Sequence, residues 1–182
     1  MNLPHPFAWL RHEPAPKHLL AALRYYGVKE IVGPVHNPVI LGWAQELGVL
    51  DIYTSDEIPW CGLFLAKAME DVGRLPPKYF YRALNWAEWG GLCGGGPSLG
   101  DVLVFSRQGG AHVGLYVGEG LNKGTKVYWV LGGNQGNAVS IVPIDQARLY
   151  AARRPLYLKR PANIRRVELG KISTVSLSLN EA

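Results

Sequence analysis

The chain has 182 residues, of which 48% are apolar and 18% are charged. This length is enough for one domain that buries about 70% of its unfolded surface, and the apolar content excludes a disordered chain. No apolar run approaches the roughly 20 residues of a membrane-spanning helix, and the formal charge of +5 suits an anionic partner without identifying one. Residues 1–11 contain no basic segment followed by an apolar core, so we expect no secretory signal.

The first third of the chain is predicted to be helical. Residues 17–26 have apolar positions at helical spacing, and Gly27 is a stop signal. A second helix is predicted to start at Asn37-Pro38, because proline at the first helical position loses no hydrogen bond. Residues 61–72 predict a third helix with one apolar stripe, formed by Leu63, Phe64, Ala68 and Val72.

A short aromatic helix over residues 79–89 and a glycine-rich loop separate these helices from a stretch with strand periodicity. The runs DVLVF, HVGLYVG, KVYWVLGG and AVSIVPI are split by turn residues, which predicts an antiparallel meander. Helices followed by strands imply an α+β fold, with the N-terminal helices packed against an antiparallel β-sheet.

Residues 1–158 are predicted to form one domain, and residues 159–182 a basic extension. The alternating VSLSL near the end of this extension fits either a final strand or a flexible end. The late cations form either a solvated tail or a docking surface for an anionic polymer: Arg153, Arg154, Lys159, Arg160, Arg165 and Arg166.

Cys61 is the first candidate for chemistry. A cysteine in the first turn of a helix faces unpaired backbone N–H groups and the positive end of the helix dipole, and both favour the thiolate. The small Gly62 is expected to leave room for a substrate carbonyl. The alternative is a small buried apolar side chain, which describes most free cysteines.

His112 is the strongest candidate among the five histidines for a general base. Strand alternation places it on one face with Gly114, Tyr116 and Gly118, and this glycine-lined face is expected to be open to a large ligand. Asn134 follows the next predicted strand and is positioned to orient the imidazole ring. The alternatives are a structural strand histidine and a turn asparagine.

These residues also resemble a known family. The segments IPWCGLFLAKAMEDVG, GDVLVF, GGAHVGLYVG and VLGGNQGNAVSI resemble the cysteine, histidine-dependent amidohydrolase/peptidase (CHAP) and NlpC-type peptidoglycan hydrolases, closest to a phage- or prophage-associated subgroup. With GVKEIVG and NPVIL, the resemblance covers residues 27–145.

The resemblance implies a papain-like or NlpC-like fold and a Cys-His-Asn triad of Cys61, His112 and Asn134. Two positions depart from the family pattern: Gly132 stands where many members have an acid, and Trp60 stands where a glutamine is usual. The second oxyanion donor therefore remains unassigned. Substrate contacts are expected from aromatic side chains, namely Trp60, Trp86, Trp89 and Tyr116.

The implied activity is cleavage of a peptidoglycan amide, by an endopeptidase or an amidase such as an endolysin, with no cofactor and no metal. Such a protein is expected to be a monomer made in the cytoplasm, to act on the cell wall after delivery by another route, and, if it is a toxin, to have an immunity protein. The alternatives are an acyltransferase of the same fold, a non-enzymatic wall-binding or phage structural module, and a zinc site of Cys61, Cys93 and His112, which lacks the usual ligand spacing. Nucleic-acid binding and an integral membrane segment are not expected.

Overall fold

The N-terminal part of the chain is helical, as predicted. The computed structural model describes residues 3–14 and 16–172. A 3-10 helix is followed by three α-helices, α1, α2 and α3, with the bounds His5–His12, Lys17–Arg24, Pro38–Glu46 and Cys61–Glu70. In the part of the chain that is described, no helix is long and apolar enough to cross a membrane.

Local signals in the sequence set the ends of these helices. The Asn37 side chain accepts a hydrogen bond from the Val39 backbone N–H at 2.8 Å and so caps α2, with Pro38 in its first position. Gly27 follows α1 and Gly73 follows α3, and both have positive φ values, 90° and 70°, that other residues adopt at a cost.

Helix α3 is the central helix of the fold. The predicted apolar stripe was too narrow, because every residue from Cys61 to Met69 is buried between α1, α2 and the sheet. Lys67 is the one cation on this buried stretch. Its ammonium lies 2.6 Å from Glu46 of α2 and 2.6 Å from Asp71, so a paired charge links the two helices.

The predicted meander is confirmed as four consecutive antiparallel strands within a larger sheet. The seven strands β1 to β7 are Gly91–Leu92, Val102–Arg107, Gly110–Asn122, Thr125–Gly132, Ser140–Asp145, Leu149–Arg154 and Glu168–Lys171. Their order is β1-β6-β2-β3-β4-β5, with β7 beside β3. Strand β6 was not predicted; it returns across the sheet to pair with β2 and β1.

Strand β7 makes the sheet mixed instead of wholly antiparallel. It runs parallel to β3 near Glu119, beyond the stretch of β3 that β2 covers. The strand comes from residues of the predicted extension, of which Ile164 is also buried, whereas VSLSL lies outside the described residues. Arg154 and Arg165 of the predicted basic cluster pair internally, with Asp101 at 2.6 Å and Glu13 at 2.7 Å.

The glycine-lined face of β3 is covered, so its predicted openness was wrong. A Cβ atom at Gly114 would meet Val130 and Leu131 of β4, and one at Gly118 would meet Leu169 of β7. A register shift between Tyr116 and Gly118 also interrupts the simple alternation. The glycines therefore let neighbouring strands approach closely.

Candidate active site

Cys61 lies at the N-terminus of α3 with 6% of its surface exposed. The backbone N–H groups of Val113, Gly62 and Cys61 lie close enough to the sulfur to lower the pKa of the thiol. Val113 follows His112 on β3, and its nitrogen is two covalent bonds from the His112 Cα. The sulfur atom therefore lies beside the root of the His112 side chain.

Burial works against the thiolate form of Cys61. It raises the pKa of the thiol above its ordinary value, and this effect outweighs the Val113 N–H and the positive charge of Arg107, which lower it. Burial therefore opposes the thiolate that the helix position alone favours. Nucleophilic attack from this position requires a base that removes the proton.

His112 is buried in β3, opposite Phe105 of β2, and its Nε2 atom lies 3.0 Å from Oε1 of Gln135. The Gln135 amide nitrogen lies 2.6 Å from the Ser140 carbonyl oxygen and 3.2 Å from the Val130 carbonyl oxygen. Because both carbonyls only accept, the amide nitrogen must face them and the amide oxygen must face the ring. His112 therefore donates from Nε2, which leaves Nδ1, the nitrogen nearer the backbone, as the basic atom of the neutral ring.

Two glycines bring this loop close to the histidine and to α3. A Cβ atom at Gly132 would lie 2.6 Å from Gln135 Oε1 and 3.1 Å from His112 Nε2, and one at Gly133 would lie 2.6 Å from the Trp60 ring. A side chain at position 132 would thus occupy the space of the Gln135 amide. The Gln135 side chain supplies the acceptor at the imidazole.

The Asn134 side chain contacts Glu30, from a distant part of the chain. Its side-chain N–H donates to Glu30 Oε1 at 2.6 Å, and the backbone adopts a φ of 57°, which asparagine tolerates better than most residues. The same Glu30 oxygen accepts from the Trp60 indole N–H at 2.7 Å. Asn134 is therefore part of a bridge from the loop to the residue that precedes Cys61, and Gln135 is the residue at the imidazole.

Three of the four predicted substrate-contacting aromatics are core residues. Trp60, Trp86 and Tyr116 are each 0% exposed. The Trp86 indole donates to the Phe80 carbonyl at 2.8 Å, and the Tyr116 hydroxyl donates to the Val167 carbonyl at 3.2 Å. These aromatic side chains can fill the interior because their polar atoms find partners there. Of the four, Trp89 lines a surface cavity.

Gly62 is required for packing and does not provide space for a substrate. A Cβ atom at this position would collide with the backbone carbonyl of Phe80 and would also press on Tyr81. The segment after α3 therefore lies directly against the first turn of that helix. The backbone of Tyr81, a half-buried residue, is thereby placed next to Gly62.

Cys93 belongs to a different part of the fold. Its thiol donates to Asp101 Oδ2 at 3.2 Å, and burial together with the Asp101 charge raises its pKa to about 12. Both cysteines are free. Across residues 3–14 and 16–172, no group of three or more His, Cys, Asp or Glu side chains is arranged to hold a metal ion, so the hypothesised zinc ligands are not brought together there.

The sequence does not point to Gln135 or Glu30, although it places the candidate nucleophile and the histidine on elements that contact each other, α3 and β3. Gln135 is adjacent to the predicted Asn134, and both side chains are buried, but it is Gln135 that reaches the His112 ring while Asn134 reaches Glu30. Glu30 lies more than a hundred residues from Asn134 in the chain. No local pattern signals such a contact.

No family model matches this chain, and no curated protein matches it. The chemical interpretation of the site therefore rests on its own contacts and on the motifs in its sequence.

Proposed function

We propose that the protein is a papain-like, cysteine-dependent amide hydrolase that acts on bacterial peptidoglycan. The observation that carries the proposal is the juxtaposition of Cys61 Sγ with the backbone N–H of Val113, next to a His112 ring that Gln135 orients. A buried thiol, an oriented imidazole and a helix N-terminus are the parts that acyl transfer needs. The choice of peptidoglycan comes from the resemblance in the segments around Cys61 and His112.

In the first step the Cys61 S–H proton passes to His112 Nδ1 as the sulfur attacks the amide carbonyl. The carbon–sulfur bond forms and the carbonyl oxygen becomes an oxyanion. Backbone N–H groups at the start of α3, beginning with that of Cys61, stabilise this charge, and one such donor contributes about 3 kcal/mol. The Trp60 side chain is not a donor for the oxyanion, because its N–H is bound to Glu30.

In the second step the protonated His112 gives its proton to the departing amine, and the carbon–nitrogen bond breaks to leave a thioester on Cys61. Water then attacks the thioester carbon while His112 removes a proton from that water. The carbon–sulfur bond breaks, a carboxylic acid leaves, and the thiol is restored. Gln135 keeps the ring in the tautomer that both steps use.

Digestion of purified cell-wall sacculi tests this function. The full-length reduced protein is expected to release soluble fragments that carry new amino and carboxyl ends, identified by mass spectrometry. Cys61→Ala is expected to lower the rate by about a thousandfold or more, and Cys93→Ala serves as the matched control because its thiol contacts Asp101. Intact sacculi after incubation with folded, reduced protein, or undiminished release by Cys61→Ala, would refute the proposal.

A further inference from the structure

An open cavity of about 970 Å³ lies between the segment after α3 and strand β6. We call it the aromatic cleft. The lining residues that carry the argument are Lys78, Tyr79, Asn85, Glu88, Trp89 and Tyr150.

The aromatic rings of the cleft are presented to solvent, unlike most aromatic side chains of the fold. Tyr79 is 50% exposed and Tyr150 is 64% exposed. Trp89 is half-buried, since its ring packs edge-on against Trp86 at 5.5 Å and its indole N–H is bound to the Leu75 carbonyl. Exposed aromatics grouped in one concavity are typical of a binding site.

The backbone at Tyr79 is held in a costly conformation. Its φ of 55° is unusual for a bulky residue. The Asn85 side chain donates to the Lys78 and Tyr79 carbonyls at 3.0 and 3.3 Å, and the Arg82 backbone N–H donates to the Tyr79 carbonyl at 2.9 Å. Surrounding contacts thus maintain a strained turn that displays one aromatic ring, as ligand-binding segments often do.

The cleft is connected to the candidate active site through one backbone contact. Phe80 directly follows Tyr79 in the chain, and its carbonyl packs against Gly62, the residue after Cys61. Tyr150 lies on β6, which β2 separates from the His112 strand. A polymer bound in the cleft would therefore contact the segment that packs against the first turn of α3.

We propose that the aromatic cleft binds the glycan strand of the substrate through its N-acetylated sugar rings. This inference rests on the proposed function, which supplies the polymer. The flat ring of Tyr150 matches the apolar face of a sugar, as does the face of Tyr79 opposite the Lys78 ammonium, which lies 4.9 Å from the ring centroid. Asn85 provides amide groups for hydroxyl and acetamido groups. Among the described residues of the lining, Lys78 and Glu88 are the charged ones, and their opposite charges favour a neutral glycan over the anionic stem peptide.

Titration of the full-length Cys61→Ala protein with chitotetraose, a neutral chain of N-acetylglucosamine, tests the proposal. Calorimetry is expected to detect binding, and adding Tyr150→Ala is expected to weaken it by about fivefold or more. Leu158→Ala is the matched control, because it removes another exposed side chain that does not line the cleft. Thermal unfolding of each variant checks that the fold is retained.

The outcomes separate the two proposals. Absence of chitotetraose binding, or binding that Tyr150→Ala leaves unchanged in a folded protein, would overturn the glycan assignment. Binding of an isolated stem peptide in the cleft in place of the glycan would also overturn it. Tyr150-dependent glycan binding by a protein that leaves sacculi intact would support the cleft and refute the hydrolase.

Discussion

The side-chain oxygen of Gln135 lies 3.0 Å from Nε2 of His112, and the Gln135 nitrogen is fixed by two carbonyl groups behind it. The partner of Nε2 is therefore a neutral amide. An amide orients the ring but stabilises its protonated form less than an anion would. Burial also favours the thiol form of Cys61 by raising its pKa.

Gln135→Ala is expected to lower the rate of wall digestion by about 10- to 100-fold, the effect typical of losing a group that orients a functional histidine. Asn134→Gly is the matched variant, because glycine adopts the positive φ of this position without strain. It is expected to stay within about threefold of the wild type. A large loss for Asn134→Gly with little change for Gln135→Ala would restore Asn134 as the orienting residue.

Glu30→Ala is expected to destabilise the fold by about 2–3 kcal/mol, because the buried indole N–H of Trp60 and the amide of Asn134 lose their acceptor. Glu30→Gln keeps an oxygen at the same place and is expected to cost clearly less. Denaturant unfolding measures both free energies. Equal losses for the two variants would show that the charge of Glu30, and not its acceptor role, holds the bridge.

Gly62→Ala is expected to destabilise the protein by about 3 kcal/mol or more, since the new methyl group collides with the Phe80 carbonyl. Gly42, which lies within α2, is the matched control because a Cβ there meets nothing within 4 Å. Gly42→Ala is expected to stabilise the fold by about 0.5–1 kcal/mol. Melting temperatures that shift alike in the two variants would contradict the packing assigned to Gly62.

His18 is expected to make the fold sensitive to mild acid. Burial lowers the pKa of His18 to about 4, and the charge of Arg74 lowers it further. Two weaker effects raise the pKa: the ring donates to the Gly100 carbonyl at 2.7 Å, and the charge of Asp101 lies near. Between about pH 6.5 and 4 the unfolded chain therefore binds more protons than the folded one. The contribution of His18 to the free energy of unfolding is therefore fully present above this window. As the pH drops through the window, the free energy of unfolding falls by about 3 kcal/mol because of this group.

His18→Gln keeps a donor for Gly100 and does not titrate, so its unfolding free energy should fall less across that window. Denaturant unfolding at a series of pH values measures the difference. If the wild type and His18→Gln lose stability in parallel between pH 6.5 and 4, His18 is not the group responsible.

The local elements of this fold were predictable because their signals lie within a few residues. Asn37-Pro38 marks the start of α2, and the period-two runs mark β2 to β5. Strand β6 was missed because its sequence, LYAARR, is rich in arginine and resembles a solvated segment. Its Arg154 is in fact paired with the buried Asp101, a partner distant in the chain.

The candidate site was predictable only in part, because some of its contacts join residues that are distant in the chain. Cys61 and His112 stand in recognisable local settings. The choice between Asn134 and Gln135 depends on a turn whose two side chains contact different partners, Glu30 and His112. The burial of Trp60 and Trp86 depends on packing that single positions do not reveal.

Alkylation of Cys61 by iodoacetamide, followed by peptide mass spectrometry, measures most directly whether His112 activates this thiol. Cys93 in the same molecule is the internal reference. We predict that His112→Gln slows alkylation of Cys61 at neutral pH by about tenfold or more and leaves the rate at Cys93 unchanged. Equal rates at Cys61 in the folded wild type and in folded His112→Gln would contradict the account.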